Sequence, residues 1–517
     1  MITCAAWLRS NVRNAALAGA SLTIACSGSA TPTYYTKDRL TDPQTCKECH
    51  PQQYADWSGS MHAYASDDPL FVAMNQRGQD QGHVGSFCVK CHAPLAFQSG
   101  KTTDGTNLAA LPQSLKGVTC YFCHNVDSVQ ATHPDAALSN DPLHLAGDNV
   151  MRAGLSNAVA NKAHPSAYSA LHDGTRLQSA QFCGSCHDVV NDHGAHIERT
   201  FAEWSDTLFN STGGGSSCAG CHMNKSTGVA ANAPGVFVRT VHDHKFPGVD
   251  LALEPVPGAD PQQGDVQTQA VQDFLRTELA TALCVEPIGT GSRIVVVADN
   301  IASGHNWPSG AAQDRRAWFQ VVASTGGAPI YQSGVVPAGT DPADGKGDDD
   351  LWLLRDCMLD GQGAAVHTFW DAVGPSDSNT LPGAVTSDPL NPDFYKTHIR
   401  QTYPRAPSAM LTGYPDTVTL DVYILAFPPP IFDDLFATPS AVGLTEVDVA
   451  SLRSKLVPLS VGQPLVWSQA TAMDTSRGSV TYFDQGNPVY CVTAGVNPDP
   501  AFGGVAAPKH TSPNCKP

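Results

Sequence analysis

The sequence predicts a multidomain protein: a mainly α-helical and irregular N-terminal domain over residues 46–250, then an antiparallel β-sandwich over 285–470. Three observations carry that division. Five Cys-x-x-Cys-His motifs lie between residues 46 and 222, and none follows. Beyond residue 285 the pattern changes to short β-rich runs separated by Gly, Pro and Asp turns. Charged residues make up only 15% of the 517-residue chain, against 45 glycines and 38 prolines, which favours loops over long helices. A hydrophobic content of 42% excludes a disordered chain.

The net charge of −18, with no basic run to offset it, argues against a nucleic-acid partner. Residues 1–25 read as an export signal: Arg9 and Arg13 precede the weakly apolar run AALAGASLTIAC, which ends at Cys26. Two processing outcomes fit, lipid attachment at Cys26 or plain cleavage. Residues 26–45 then form a polar linker. No later stretch has eighteen uninterrupted apolar residues, so no membrane-spanning helix is expected.

The motifs carry the chemistry. They pair Cys46 with Cys49 before His50, Cys88 with Cys91 before His92, Cys120 with Cys123 before His124, Cys183 with Cys186 before His187, and Cys218 with Cys221 before His222. This is the attachment signature of c-type haem: two thiols add to the haem vinyl groups and the adjacent imidazole binds iron. Zinc sites also use Cys-x-x-Cys, but in twos and without a following histidine. Redox dithiols sit one per βαβ unit, and no such unit is evident. With 19 histidines in the chain, a chance histidine after all five pairs would arise roughly once in ten million. Five covalent haems are therefore expected.

At about 35 residues per motif, the segment cannot build an ordinary apolar core around each porphyrin. The haems themselves form the core, wrapped by short helices and loops, and must lie close together. Each iron then needs a second axial ligand if it is to be six-coordinate and suited to electron transfer.

The opening CKECHPQQYADWSGSMHAYA, residues 46–65, resembles the cytochrome c554 family, and the likeness extends to about residue 250, though with five motifs where the family has four. The resemblance implies that His62 caps the haem of His124, that His133 caps that of His50, and that His244, preferred over His242, caps the last family haem. It also implies that the haem of His92 lacks a distal ligand. Two further caps are assigned to His172, at the end of an aromatic-rich run, and to His305. NIASGHNWPSGAAQDRRAWFQVV resembles a segment in the C-terminal β-domain of related multihaem cytochromes. There Gly304 allows close approach, Pro308 stiffens the loop, and Trp307 could stack on a porphyrin edge. His144 and His196 are second-tier ligands, and Met223 cannot turn back to the iron of its neighbour.

Residues 251–284 read as one linking helix, from the helical spacing of Val, Phe and Leu in DVQTQAVQDFLRTELATALC. Six strand-like runs follow: SRIVVVADNIA, RAWFQVVAS, PIYQSGVV, LWLLRDCML, VHTFWDAV and VTLDVYILAF. GKGDDD at 345–350 reads as an acidic turn rather than a calcium loop. Residues 471–517 read as a loop-rich tail. Of the cysteines left over, Cys284, Cys357, Cys491 and Cys515 form two disulfides, with Cys491–Cys515 favoured.

The function expected is electron transfer between redox partners at the bacterial cell envelope, by an exported pentahaem cytochrome with mostly bis-histidine haems. The overall negative charge favours partners with positive patches. The rival is a multihaem oxidoreductase of the nitrite reductase or hydroxylamine oxidoreductase kind, which needs one open iron.

Overall fold

The structure is a computed structural model, and it describes residues 34–130, 143–344, 347–474, 479–484, 486–495 and 505–515. Its N-terminal half consists of short helices, among them Pro51–Ser58 and Pro69–Arg77, joined by loops and two-stranded ladders. The sequence starts these helices locally. Asp42, Asp68 and Thr119 cap N-termini by accepting from the backbone N–H of Gln44, Leu70 and Phe122, and Pro43, Pro51, Pro69 and Pro94 occupy first turns. The buried apolar clusters here are small. One gathers Leu40, Leu95, Tyr121, Phe122, Val126, Leu143 and Leu171; another gathers Phe71, Val89, Ala93, Ala96 and Leu108.

Within this half a hairpin pairs β1 (Lys225–Val229) with β2 (Val238–His242). Helix α1 spans Gln262–Leu275, shorter than the 251–284 linking helix read from the sequence. Its buried Val271 and Leu275 join the core of the second half.

Thereafter come β3 (Ala280–Ile288), β4 (Gly291–Asp299), β5 (Arg316–Thr325), β6 (Ala328–Ser333), β7 (Trp352–Leu354), β8 (His398–Tyr403), β9 (Leu411–Thr412), β10 (Thr417–Leu425), β11 (Leu459–Trp467), β12 (Val480–Asp484), β13 (Asn487–Ala494) and β14 (Val505–Ala506). One sheet runs β12-β13-β3-β4-β8-β14, with β9 also on β4; the other runs β6-β5-β10-β11, with β7 also on β5. All pairings are antiparallel except β8 with β14. Leu283, Ile294 and Val296 from one sheet and Phe319, Val321, Val418 and Leu420 from the other meet in a single core. In it Phe319 stacks on Trp352 with centroids 3.9 Å apart, a contact worth about 0.5–1.5 kcal/mol beyond area burial.

Four readings are corrected. The stretch ATALC, placed in the linking helix, belongs to the inner strand β3, buried along Ala280–Glu286. A strand covered on both faces shows no alternation, so its apolar run imitates a helix. Residues 471–517 contribute β12, β13 and β14 to the sheet rather than forming a tail. The run VHTFWDAV is mostly turn, with only Val366 in a short strand. The disulfides are Cys284–Cys491 and Cys357–Cys515, not Cys491–Cys515. Cys284 and Cys491 are register partners on β3 and β13, a neighbour relation invisible without the sheet. No helix among the described residues is long and apolar enough to cross a membrane.

The two halves share contacts. Arg315 makes a two-pronged ion pair with Asp250 at 2.8 and 2.6 Å, Asn191 donates to the carbonyls of Phe369 and Ala372, and Ala73 packs among Leu253, Phe432 and Phe436.

Candidate functional site

Each motif folds as one helical turn. The backbone N–H of His50, His92 and His187 donates to the carbonyl of the motif's first cysteine at 2.8, 3.1 and 3.0 Å. Helices Cys120–Asn125 and Cys218–His222 do the same for the third and fifth motifs. Residues three and four apart share a helix face, so both thiols and the imidazole point one way from each turn. Burial pushes the Cys88 and Cys123 thiols up to about 12. That disfavours thiolate and suits a neutral, covalently capped sulfur.

Most motif imidazoles are held by their Nδ1 atoms. His50 donates to Ala230 O at 2.7 Å, His92 to Ala65 O at 2.9 Å, His124 to Arg152 O at 2.6 Å and His222 to Pro247 O at 2.8 Å. A carbonyl on Nδ1 fixes the tautomer that leaves Nε2 free as a metal ligand.

Four motif imidazoles face a second imidazole. Ring centroids are 6.3 Å apart for His50 and His164, 6.3 Å for His124 and His244, 6.4 Å for His187 and His62, and 6.4 Å for His222 and His305. An imidazole nitrogen binds a first-row metal at about 2.0–2.1 Å and the ring centre lies roughly 1.1 Å further back, so two rings on opposite sides of one ion stand about 6.3 Å apart. The residues therefore fit a metal held between paired histidines. Burial, aided by the neighbouring imidazoles, holds His62 and His244 down at about 3 and His222 at about 4, so all three present a neutral lone pair. His92 differs. Phe71 stacks on its ring at 4.2 Å, and no second imidazole faces it among the described residues.

The motifs touch one another. Thiols of different motifs lie near one another: Cys46 by Cys120, Cys91 by Cys186, Cys183 by Cys218, and Cys123 by Cys183. The order of neighbours is thus first, third, fourth, with the second and fifth both branching from the fourth.

The segment 45–125 matches the family model for cytochrome c554 and c-prime. Among solved structures, the fold resembles a penta-haem cytochrome c552 from Thermochromatium tepidum, with a TM-score of 0.54 and 17% identity over 84% of this chain and 100% of that one. The chain is a multihaem c-type cytochrome. None of the curated proteins compared with it matches its sequence.

In this cytochrome the cap assignments shift. His62 faces His187 rather than His124, and His244 faces His124. His50 is faced by His164; His133, assigned there from the resemblance, lies outside the described residues. His172 comes within 5.7 Å of His124, but its Nε2 donates to Cys123 O at 2.7 Å and its Nδ1 meets Ser169 Oγ, so both nitrogens are occupied. His144 pairs with Asp127 at the surface. Arg199 pairs with the buried Asp188, a structural role. His164 sits in the same stretch as His172, and what marks it is the Asn161 side chain, which accepts from the N–H groups of Ala163 and His164 and fixes the turn.

His305, assigned as a cap without a named motif, faces His222, and its loop is clamped from several sides. Asn300 donates to His305 O at 2.8 Å, Thr207 Oγ1 to Gly304 O at 3.2 Å, and Ser309 Oγ to Glu203 at 2.6 Å. Gly304 has φ +73°, a left-handed backbone conformation that favours glycine, and a Cβ there would meet Phe209 at 3.5 Å in ordinary contact. Trp307, expected at a porphyrin edge, is instead part of the sandwich core, bonded to Leu381 through both backbone groups at 2.8 Å. The core thus anchors the loop that carries His305 into the first half.

Proposed function

We propose that this cytochrome is an exported pentahaem protein that moves electrons between redox partners at the bacterial cell envelope. In this reading four haems are bis-histidine ligated, by His50 with His164, His124 with His244, His187 with His62 and His222 with His305. The fifth is held by His92 alone. The observation that carries the reading is the set of four imidazole pairs at 6.3–6.4 Å. Haem c, when bound, supplies a one-electron iron couple, and paired imidazoles favour electron transfer over ligand binding. The ten motif cysteines tether, the histidines ligate, and the contacts between motif thiols keep the groups within close reach of one another.

The test combines a pyridine haemochrome count with low-temperature EPR of the oxidised holoprotein. Five haems per chain, four low-spin and one high-spin, is the expected result. Fewer haems, or two or more high-spin irons, would overturn the reading. Mass spectrometry of the mature N-terminus separates lipid attachment at Cys26 from plain cleavage.

The absence of an imidazole opposite His92 among the described residues favours one second reading, an oxidoreductase acting at that iron. Turnover of nitrite or hydroxylamine that is lost in a His92→Ala variant, with the other four haems intact, would establish it.

A further inference from the structure

We propose that the surface over the first motif is the docking face for a small acidic one-electron carrier protein. This rests on the electron-transfer reading above and adds the place and chemistry of one partner.

The β1–β2 hairpin and the loop leading to His164 form one cover over that motif. Ala230 O accepts from His50 Nδ1, Asn232 N donates to Cys49 O at 2.7 Å, and Arg239 donates to Asn157 at 2.7 Å. Gly235 lies against Val159, where an added Cβ would stand 3.5 Å from its methyl group. The first motif is also an end of the thiol network: it meets the third, whereas the fourth meets three others. An end of a conducting line is where a partner exchanges electrons.

The cover is apolar at its tip. Phe237, Val238 and Val229 are 46%, 65% and 39% exposed, and Val229 and Val238 are register partners across the hairpin. Around them the charge inverts. The chain has 48 acidic residues, yet none falls in 149–172 or 224–242, the segments that build the cover. Lys47, Lys162, Lys225 and Arg239 stand there, and none has a carboxylate partner among the described residues. The acid in the motif itself, Glu48, pairs with Arg39 at 3.7 Å. An apolar tip on a cover whose segments carry only basic charge, on a chain of net charge −18, is complementary to a partner with an acidic surface. Each encounter passes one electron: the carrier is oxidised as a ferric iron is reduced, or the reverse.

The probe is an acidic plant-type [2Fe–2S] ferredoxin, with dithionite as a small reductant. Two readouts are taken on the holoprotein at low ionic strength: the stopped-flow rate of haem reduction, and the Kd for oxidised ferredoxin. The double variant Lys162→Glu/Lys225→Glu should lose about tenfold in both, the loss should vanish near 0.5 M salt, and dithionite rates should not change. Phe237→Ser should weaken Kd without changing its salt dependence. A control with the same net-charge change, Arg276→Glu/Lys396→Glu, should stay within about twofold. Equal losses in the control, or no loss in the face variants, would overturn the proposal. So would face variants that lose binding to phosphatidylglycerol vesicles while ferredoxin rates stay intact, since the surface would then belong to a membrane. Haems that dithionite cannot reduce would instead defeat the electron-transfer reading itself.

Discussion

Replacing His305 by alanine removes the imidazole that stands 6.4 Å from His222 and, of the loop's own contacts, only the Nδ1 hydrogen bond to Asn306 O at 2.7 Å. The loop's anchors are backbone groups and other side chains: Asn300 on His305 O, Trp307 in the sandwich core, and Ser309 on Glu203. The variant should therefore fold, with its melting temperature within about 2 °C of the wild type, as for a substitution that leaves packing intact. The spin count gives the magnitude. Four facing pairs predict four low-spin irons in five, and loss of one pair predicts three, with the high-spin signal doubling from one iron per chain to two. Quantified EPR at neutral pH reads this directly. A His305→Met variant should keep the iron low-spin and raise its potential, because a thioether replaces an imidazole. An unchanged ratio of four to one in the alanine variant would refute the bridging role of His305 and the reasoning from ring separation with it.

His164→Ala should likewise add one high-spin iron. His172→Ala should add none, because its nitrogens serve Cys123 O and Ser169; the reverse pattern in EPR would restore His172 as the ligand. Cys357→Ala/Cys515→Ala opens a cross-link between residues 158 apart and should cost about 2–4 kcal/mol, seen as a lower melting temperature; peptide mapping should recover Cys284–Cys491 unchanged. Burial pushes the Glu203 carboxyl up to about 8 from 4.5, so the folded chain holds a proton that the unfolded chain has released. Stability should then fall as pH rises from about 4.5 to about 8, and Glu203→Gln should flatten that fall in thermal melts. An identical slope in the variant would show that Glu203 does not titrate this way.

The sequence alone determined the chemistry, because covalent haem attachment is a local property. Cys-x-x-Cys-His needs one helical turn, and one turn is legible in five residues; all five motifs fold that way. It also determined the change to β-structure after the last motif: β10 alternates in burial and β5 does so in its second half, while β4 is a short apolar run rich in β-branched residues. The caps were legible only in kind. His305 was visible from its glycine and tight loop, but His62 and His244 face other motif histidines than those the resemblance implied, and His164 was passed over for its neighbour eight residues on. Which two imidazoles face each other depends on loops far apart in sequence, such as 157–164 folding back on residue 50, and no local pattern encodes that closure. The same holds for β3, whose two-sided burial erased its period, and for Cys284 and Cys491, joined because their strands are neighbours. Residue type and short spacing set what each group can do; the packing of distant segments decided which groups do it together.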